Sequence, residues 1–250
     1  MLVPTTFQLN RARLLQRLDV LATASGAAWS LYLPQGSPTL EVETILRREL
    51  EPQQLEDAVT AISKSATGAV LFWGDRNKYL IQPPFPLGTR YFATGYDVQP
   101  LHALLSRDLT IAVILVRLGD YAIGVFHGEK LISSKVGTGN VHQRHRQGGS
   151  SAHRFERHRD KQIEYFFTRI CTHAQEHLAP VARQLDYLVY GGTRFTVLEL
   201  RKQCHFLQAF DVRTLDLLLN VRQPRQATLE AAIGDVWSSK VTEWREKDSV

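Results

Sequence analysis

Apolar positions recur at helical spacing in residues 10–21, where Leu14, Leu15, Leu18 and Leu21 fall on one face. The spacing predicts an amphipathic helix. Residues 28–33 (AWSLYL) form a short apolar run stopped by Pro34, Gly36 and Pro38, which predicts a strand. Residues 40–50 and 55–65 return to helical spacing and are split by Glu51-Pro52. Two further apolar runs, 68–73 and 78–82, flank Gly74-Asp75-Arg76-Asn77 and predict a strand pair. The stiff stretch Pro83-Pro84-Phe85-Pro86 cannot join a central ladder. These elements predict a small α/β N-terminal module over residues 1–100.

Beyond residue 100 the pattern becomes more regular, and a second domain is expected over 101–250. Residues 110–118 are β-branched and apolar, and 121–126 and 130–136 read as the next two strands, separated by Gly119-Asp120 and His127-Gly128-Glu129. They predict an antiparallel meander. Helical period resumes over 151–178, with Ile163, Phe166, Phe167, Ile170, Ala174 and Leu178 as an apolar stripe. A short buried strand is expected at 185–190, closed by Gly191-Gly192, then helices at 193–204 and 228–243. Three antiparallel strands, a helix, a strand and a helix predict an α/β fold with a mixed, ribonuclease-H-like sheet.

Between meander and helix lies a basic loop, residues 137–153. Long segments without regular structure are uncommon inside domains and are usually functional or disordered. From Lys135 to Lys161 there are seven Lys or Arg against Glu156 and Asp160, so this stretch alone carries the +5 net charge of the whole 250-residue chain. His142, His145, His153 and His158 lie there too. By composition alone, such a run reads as a solvated basic segment. The rest is ordinary for a globular protein, 44% apolar and 22% charged. Two cysteines, Cys171 and Cys204, make no disulfide framework, and reduced thiols are expected. No signal peptide and no apolar run long enough to span a bilayer is visible, so a cytoplasmic protein without membrane association is expected.

The string Gly148-Gly149-Ser150-Ser151-Ala152-His153-Arg154-Phe155-Glu156-Arg157-His158-Arg159 resembles the GGQSAxRFxxxR string of class-1 release factors of eukaryotes and archaea. Gly148, Gly149, Ser151, Ala152, Arg154, Phe155 and Arg159 match in register, and Leu185 to Gly192 resembles the next strand and glycine turn of that family. The run Arg146-Gln147-Gly148-Gly149-Ser150 is similar to the Vms-like release factors, in particular their bacterial, actinobacteria/chloroflexi-type branch. The resemblance covers roughly residues 105–245. It implies a release-factor middle domain and a peptidyl-tRNA hydrolase that rescues stalled ribosomes. The partners implied are the large ribosomal subunit with its rRNA and peptidyl-tRNA, without DNA, metal or cofactor. Stop-codon reading is not implied, since residues 1–100 show no counterpart of the codon-reading motif.

The same resemblance places Gln147, Gly148, Gly149, Ser150 and Ser151 at the catalytic tip. It assigns RNA contact to Arg144, His145, Arg146, His153, Arg154, Arg157 and Arg159. Glycines suit a tip that must enter a narrow RNA channel, because they lack a Cβ and tolerate unusual dihedrals. A backbone N–H there can hold the developing oxyanion, an effect of about 2.7–4 kcal/mol. Flanking cations neutralise phosphates. The chain departs from both patterns at one point: Ser150 and Ser151 stand where these families carry glutamine. A factor that binds ribosome or tRNA without hydrolysis therefore stays open, as does an endonuclease cutting near the tRNA acceptor end.

Blander roles compete at several positions. Ser150 or Ser151 can simply cap the following helix. Arg154, Arg157, His158 and Lys161 share one helical face that suits RNA backbone or plain solvent. His173 and His177 have the spacing of a metal pair but lack the glutamate of a zincin, so two surface histidines are expected. Gly137-Thr138-Gly139 matches neither a dinucleotide fingerprint nor a phosphate-binding loop.

Overall fold

The computed structural model describes residues 2–139 and 152–246, with side chains in the helix that begins at residue 152 described from residue 157. Along the chain come β1 (Leu2–Leu9), α1 (Arg11–Ala22), β2 (Ala28–Leu33), α2 (Thr39–Leu46), α3 (Pro52–Ser63), β3 (Ala69–Gly74), β4 (Lys78–Gln82), β5 (Tyr91–Thr94) and α4 (Gln99–Ser106). There follow β6 (Thr110–Arg117), β7 (Asp120–His127), β8 (Lys130–Thr138), α5 (Ala152–Leu178), β9 (Tyr187–Gly192), α6 (Arg194–Gln203), α7 (His205–Gln208), β10 (Thr214–Leu219), α8 (Gln226–Val236) and β11 (Ser239–Glu246). Contacts divide them into two units, one of Met1–Arg107 with Trp237–Val250, the other of Asp108–Val236.

The first unit is a six-stranded sheet in the order β1-β11-β4-β3-β2-β5, antiparallel throughout. Local chemistry sets its helix starts. The Asn10 side chain accepts from the Arg13 N–H at 2.9 Å, which satisfies one of the donors a helix leaves open at its N-terminus. Pro52 occupies the first turn of α3, where its missing N–H costs nothing. Strand alternation sends Val70 and Phe72 to one core with Leu14, Leu18 and Leu101, and Leu71 and Trp73 to another with Val42, Leu46 and Trp244. Both faces of β3 are therefore buried, and its sequence is continuously apolar.

The second unit is a five-stranded sheet in the order β10-β9-β6-β7-β8. Strands β6, β7 and β8 form the expected antiparallel meander, while β9 runs parallel to β6 and β10 parallel to β9. That order and polarity are the ribonuclease-H-like arrangement the sequence predicts. α5 lays Phe166, Phe167, Ile170, Ala174 and Leu178 against Ile114, Tyr121, Ile123 and Val125. Residues of β7 with the opposite parity face α8, and a Cβ built on Gly124 would lie 2.9 Å from Leu229 Cδ2.

Three expectations differ from the structure. The helix expected over 228–243 ends at Val236, and β11 follows. The register Leu2↔Glu246 to Leu9↔Ser239 supplies β11 with a partner across nearly the whole chain, which no local window contains. The division near residue 100, with a second domain running to 250, therefore becomes a boundary after Arg107 and a return at Trp237. Third, Cys171 on α5 and Cys204 just after α6 form a disulfide, with Cα atoms 5.5 Å apart. The reduced thiols expected from cysteine count alone are overturned by a packing contact between two helices.

Candidate functional site

The glycines and arginines of the basic loop are carried between β8 and α5. Arg144, His145, Arg146, Gln147, Gly148, Gly149, Ser150 and Ser151 lie outside the described residues. His153 and Arg154 belong to α5 by backbone, with side chains outside the described set. Arg157, His158 and Lys161 are exposed on that helix and Arg159 is half-buried, whereas Phe166 and Phe167 one turn on are buried. The opening of α5 is thus cationic and the remainder apolar on its inner face. His158 is 3.2 Å from the Gln162 side-chain amide.

Close packing fixes where the loop leaves the sheet. The Gly139 N–H donates to the Gly119 carbonyl at 2.7 Å. A Cβ on Gly137 would fall 2.3 Å from the Tyr121 hydroxyl, and one on Gly139 would fall 2.3 Å from the Phe166 ring. Real side chains do not tolerate either approach, so the Gly137-Thr138-Gly139 spacing serves contact with two aromatic rings rather than nucleotide binding. Tyr121 is fully buried. It stands between Phe166, ring centroids 5.9 Å apart, and His173, at 6.0 Å and nearly parallel. Its hydroxyl has no hydrogen-bond partner among the described residues.

His173 and His177, farther along α5, turn to different partners. His173 Nδ1 lies 2.8 Å from Glu176 Oε2, and the imidazole holds the Glu176 carboxyl below its ordinary range. His177 Nδ1 is 3.2 Å from Ser133 Oγ on β8. No cluster of three or more metal-ligating side chains exists among the described residues. Arg201 lies over the Tyr190 ring at 5.6 Å, and burial pushes the Tyr190 hydroxyl well above the usual range. No described helix is long and apolar enough to cross a membrane.

Residues 109–242, from β6 into β11, match the family described as Actinobacteria/chloroflexi VLRF1 release factor. The chain belongs to this family. The VLRF1 match covers more than half of it and contains the meander, the loop and α5. The chain is also 27% identical over 199 residues to peptide chain release factor subunit 1 of Aeropyrum pernix, covering 69% of this chain and 53% of that protein. The factor of the same name from Thermococcus sibiricus is 30% identical over 139 residues, 50% of this chain and 34% of that one. The chain thus spans about half the length, or less, of these curated relatives. Among solved structures, an archaeal translation termination factor superposes with a TM-score of 0.41 at 22% identity, covering 91% of this chain and 71% of the other.

Sequence reasoning missed the packing of Tyr121, Gly137, Gly139 and Phe166 that roots the VLRF1 loop. Its one visible signal was the Gly-x-Gly spacing at the end of a strand.

Proposed function

We propose that the protein is a peptidyl-tRNA hydrolase that acts on stalled ribosomes, inserting the loop tip at the peptidyl transferase centre of the large subunit. The observation that carries this reading is membership in a release-factor family across the segment that holds Gly148-Gly149 and the Arg154-Phe155 register. Gly148 and Gly149 shape the tip, and their backbone N–H groups face the developing oxyanion. Gln147 and Ser150 order the attacking water, Ser151 sits beside them at the start of the helix, and no cofactor or metal is needed. Arg144, His145, Arg146, His153, Arg154, Arg157 and Arg159 contact rRNA and the tRNA acceptor end, an attraction that weakens with salt.

The test uses stalled ribosome–nascent-chain complexes carrying labelled peptidyl-tRNA. Hydrolysis releases free peptide and leaves intact tRNA, and Gly149→Ala should reduce that release sharply. Unchanged release by Gly149→Ala would remove the tip from the mechanism. One observation favours a second reading: serine, not glutamine, follows the glycines. Co-sedimentation with ribosomes without released peptide would make the protein a non-hydrolytic binder, and shortened tRNA would make it an endonuclease.

A further inference from the structure

The first unit holds a cavity of about 560 Å³ between α1, the end of β1 and the start of β4. That size lies within the roughly 300–1,000 Å³ range of small-ligand sites. One wall is apolar, made by Leu9, Val20 and Leu21. Arg13 and Arg17, one helical turn apart on α1, line it as well, and no acidic side chain is among the described lining residues.

The two arginines are differently prepared. Arg17 is held in place: its guanidinium is 3.4 Å from Glu243 Oε2 and sits over the rings of Phe7 and Tyr79 at 5.7 and 5.5 Å. Glu243 is nearly buried and also accepts from the Tyr79 hydroxyl at 3.0 Å and from Arg245 at 2.8 Å. With two guanidiniums on one carboxylate, the cluster keeps a net positive charge. A guanidinium has five N–H donors, so Arg17 retains several beyond this contact. Arg13 is exposed and its guanidinium has no ion pair among the described residues. Gln16 and Asn77 add two side-chain amides, each able to donate and accept at the same rim.

We propose that this cavity binds a nucleotide, with its phosphate on Arg13 and Arg17 and its base against the apolar wall, read at the edge by Gln16 and Asn77. Paired arginines match phosphate oxygens through charge-assisted, often bidentate hydrogen bonds. Amide side chains match the donor–acceptor pattern of a base edge. The site lies on residues separate from the basic loop, and nothing in the hydrolase reading requires it. The nucleotide is either free or one unit of a single RNA strand, and the two sources are separable.

The experiment uses the full chain carrying Arg144→Ala and Arg146→Ala, which weakens the cationic loop as a competing site. Adenosine and cytidine 5′-monophosphates are titrated by calorimetry, and a fluorescein-labelled single-stranded hexaribonucleotide by anisotropy. Binding of a monophosphate identifies a free nucleotide; binding of the hexamer alone identifies a strand. In either case Arg13→Glu should weaken binding about tenfold or more, the scale expected on losing a charged hydrogen bond. Gln16→Ala, at an exposed position, should weaken it less and change the preference between the two bases. Arg48→Glu, an equal charge change elsewhere on the first unit, should leave binding unaltered. The proposal is overturned if neither probe binds, or if Arg48→Glu weakens binding as much as Arg13→Glu.

Discussion

In the second unit, β6, β7 and β8 follow one another through short turns, and each strand finds its partner next in sequence. In the first unit, β11 arrives from beyond residue 237 and inserts between β1 and β4. The meander of the second unit is thus completed locally, and its farther pairing of β9 with β6 stays inside that unit's own stretch of sequence, whereas the first unit is completed by a strand from far downstream. Loop-closure entropy must be met before distant pairing is rewarded, so the two units should respond differently to damage. All four tryptophans, Trp29, Trp73, Trp237 and Trp244, lie in the first unit. Tryptophan fluorescence therefore follows that unit alone.

The largest effect is expected at β11. Trp244 is 2% exposed and packs edge-on against Trp73 at 5.2 Å. Trp244→Ala should cost about 3–5 kcal/mol. Urea unfolding followed by the remaining tryptophans should move to lower midpoint, while much of the far-ultraviolet signal of the second unit persists. Simultaneous loss of both signals would break the contrast and make the two units one cooperative body. Next in size is the link between Cys171 and Cys204, 33 residues apart. Replacing the pair with alanine and serine should cost about 3–4 kcal/mol on loop-closure grounds. The shift belongs in the helical circular-dichroism melt and not in the tryptophan transition. Intact-mass analysis after alkylation without reductant reads the bond itself, and two labelled thiols would remove it.

A smaller change is expected at the loop root. Gly139→Ala sets a methyl group against Phe166, and overpacking of this kind costs about 1–3 kcal/mol. If the hydrolase reading holds, peptide release should fall further than the stability loss accounts for. Normal release with normal stability would mean the root does not aim the loop. The mildest test is pH. Burial alone would raise the Glu243 carboxyl, yet hydrogen bonds from Arg245 and Tyr79 hold it below the ordinary value. A depressed acid contributes stability above its unfolded pKa and loses it as pH falls through the folded one. Acidification below the ordinary glutamate range should therefore lower the tryptophan midpoint, and Glu243→Gln should flatten that dependence. Glu176 is depressed as well but exposed, so solvent screening leaves the second unit with less acid sensitivity from this source.

The contrast also explains what was legible. The meander, α5 and its Phe166–Leu178 stripe stand in the sequence because their periodicity and turn residues are local. β1 was hidden by Pro4, which an edge strand with one neighbour tolerates. β11 reads as helix when Ser239–Glu246 is taken without β1 and β4 beside it. β5 and β10 are edge strands with several exposed residues, so strict alternation fails. At the candidate site, the Gly148-Gly149 register and the exposed Arg157 were readable, since a string and a helical period carry them. The meeting of Gly137 with Tyr121, of Gly139 with Phe166 and of Cys171 with Cys204 was not, because each joins side chains from separate elements.

The late arrival of β11 has a consequence for biosynthesis. Residues 108–236, with every strand and helix of their own unit, are synthesised before Ser239 is added. Until then β1 and β4 lack the strand that joins them, and such unpaired edges invite wrong partners. The half translated first is the half that finishes folding last.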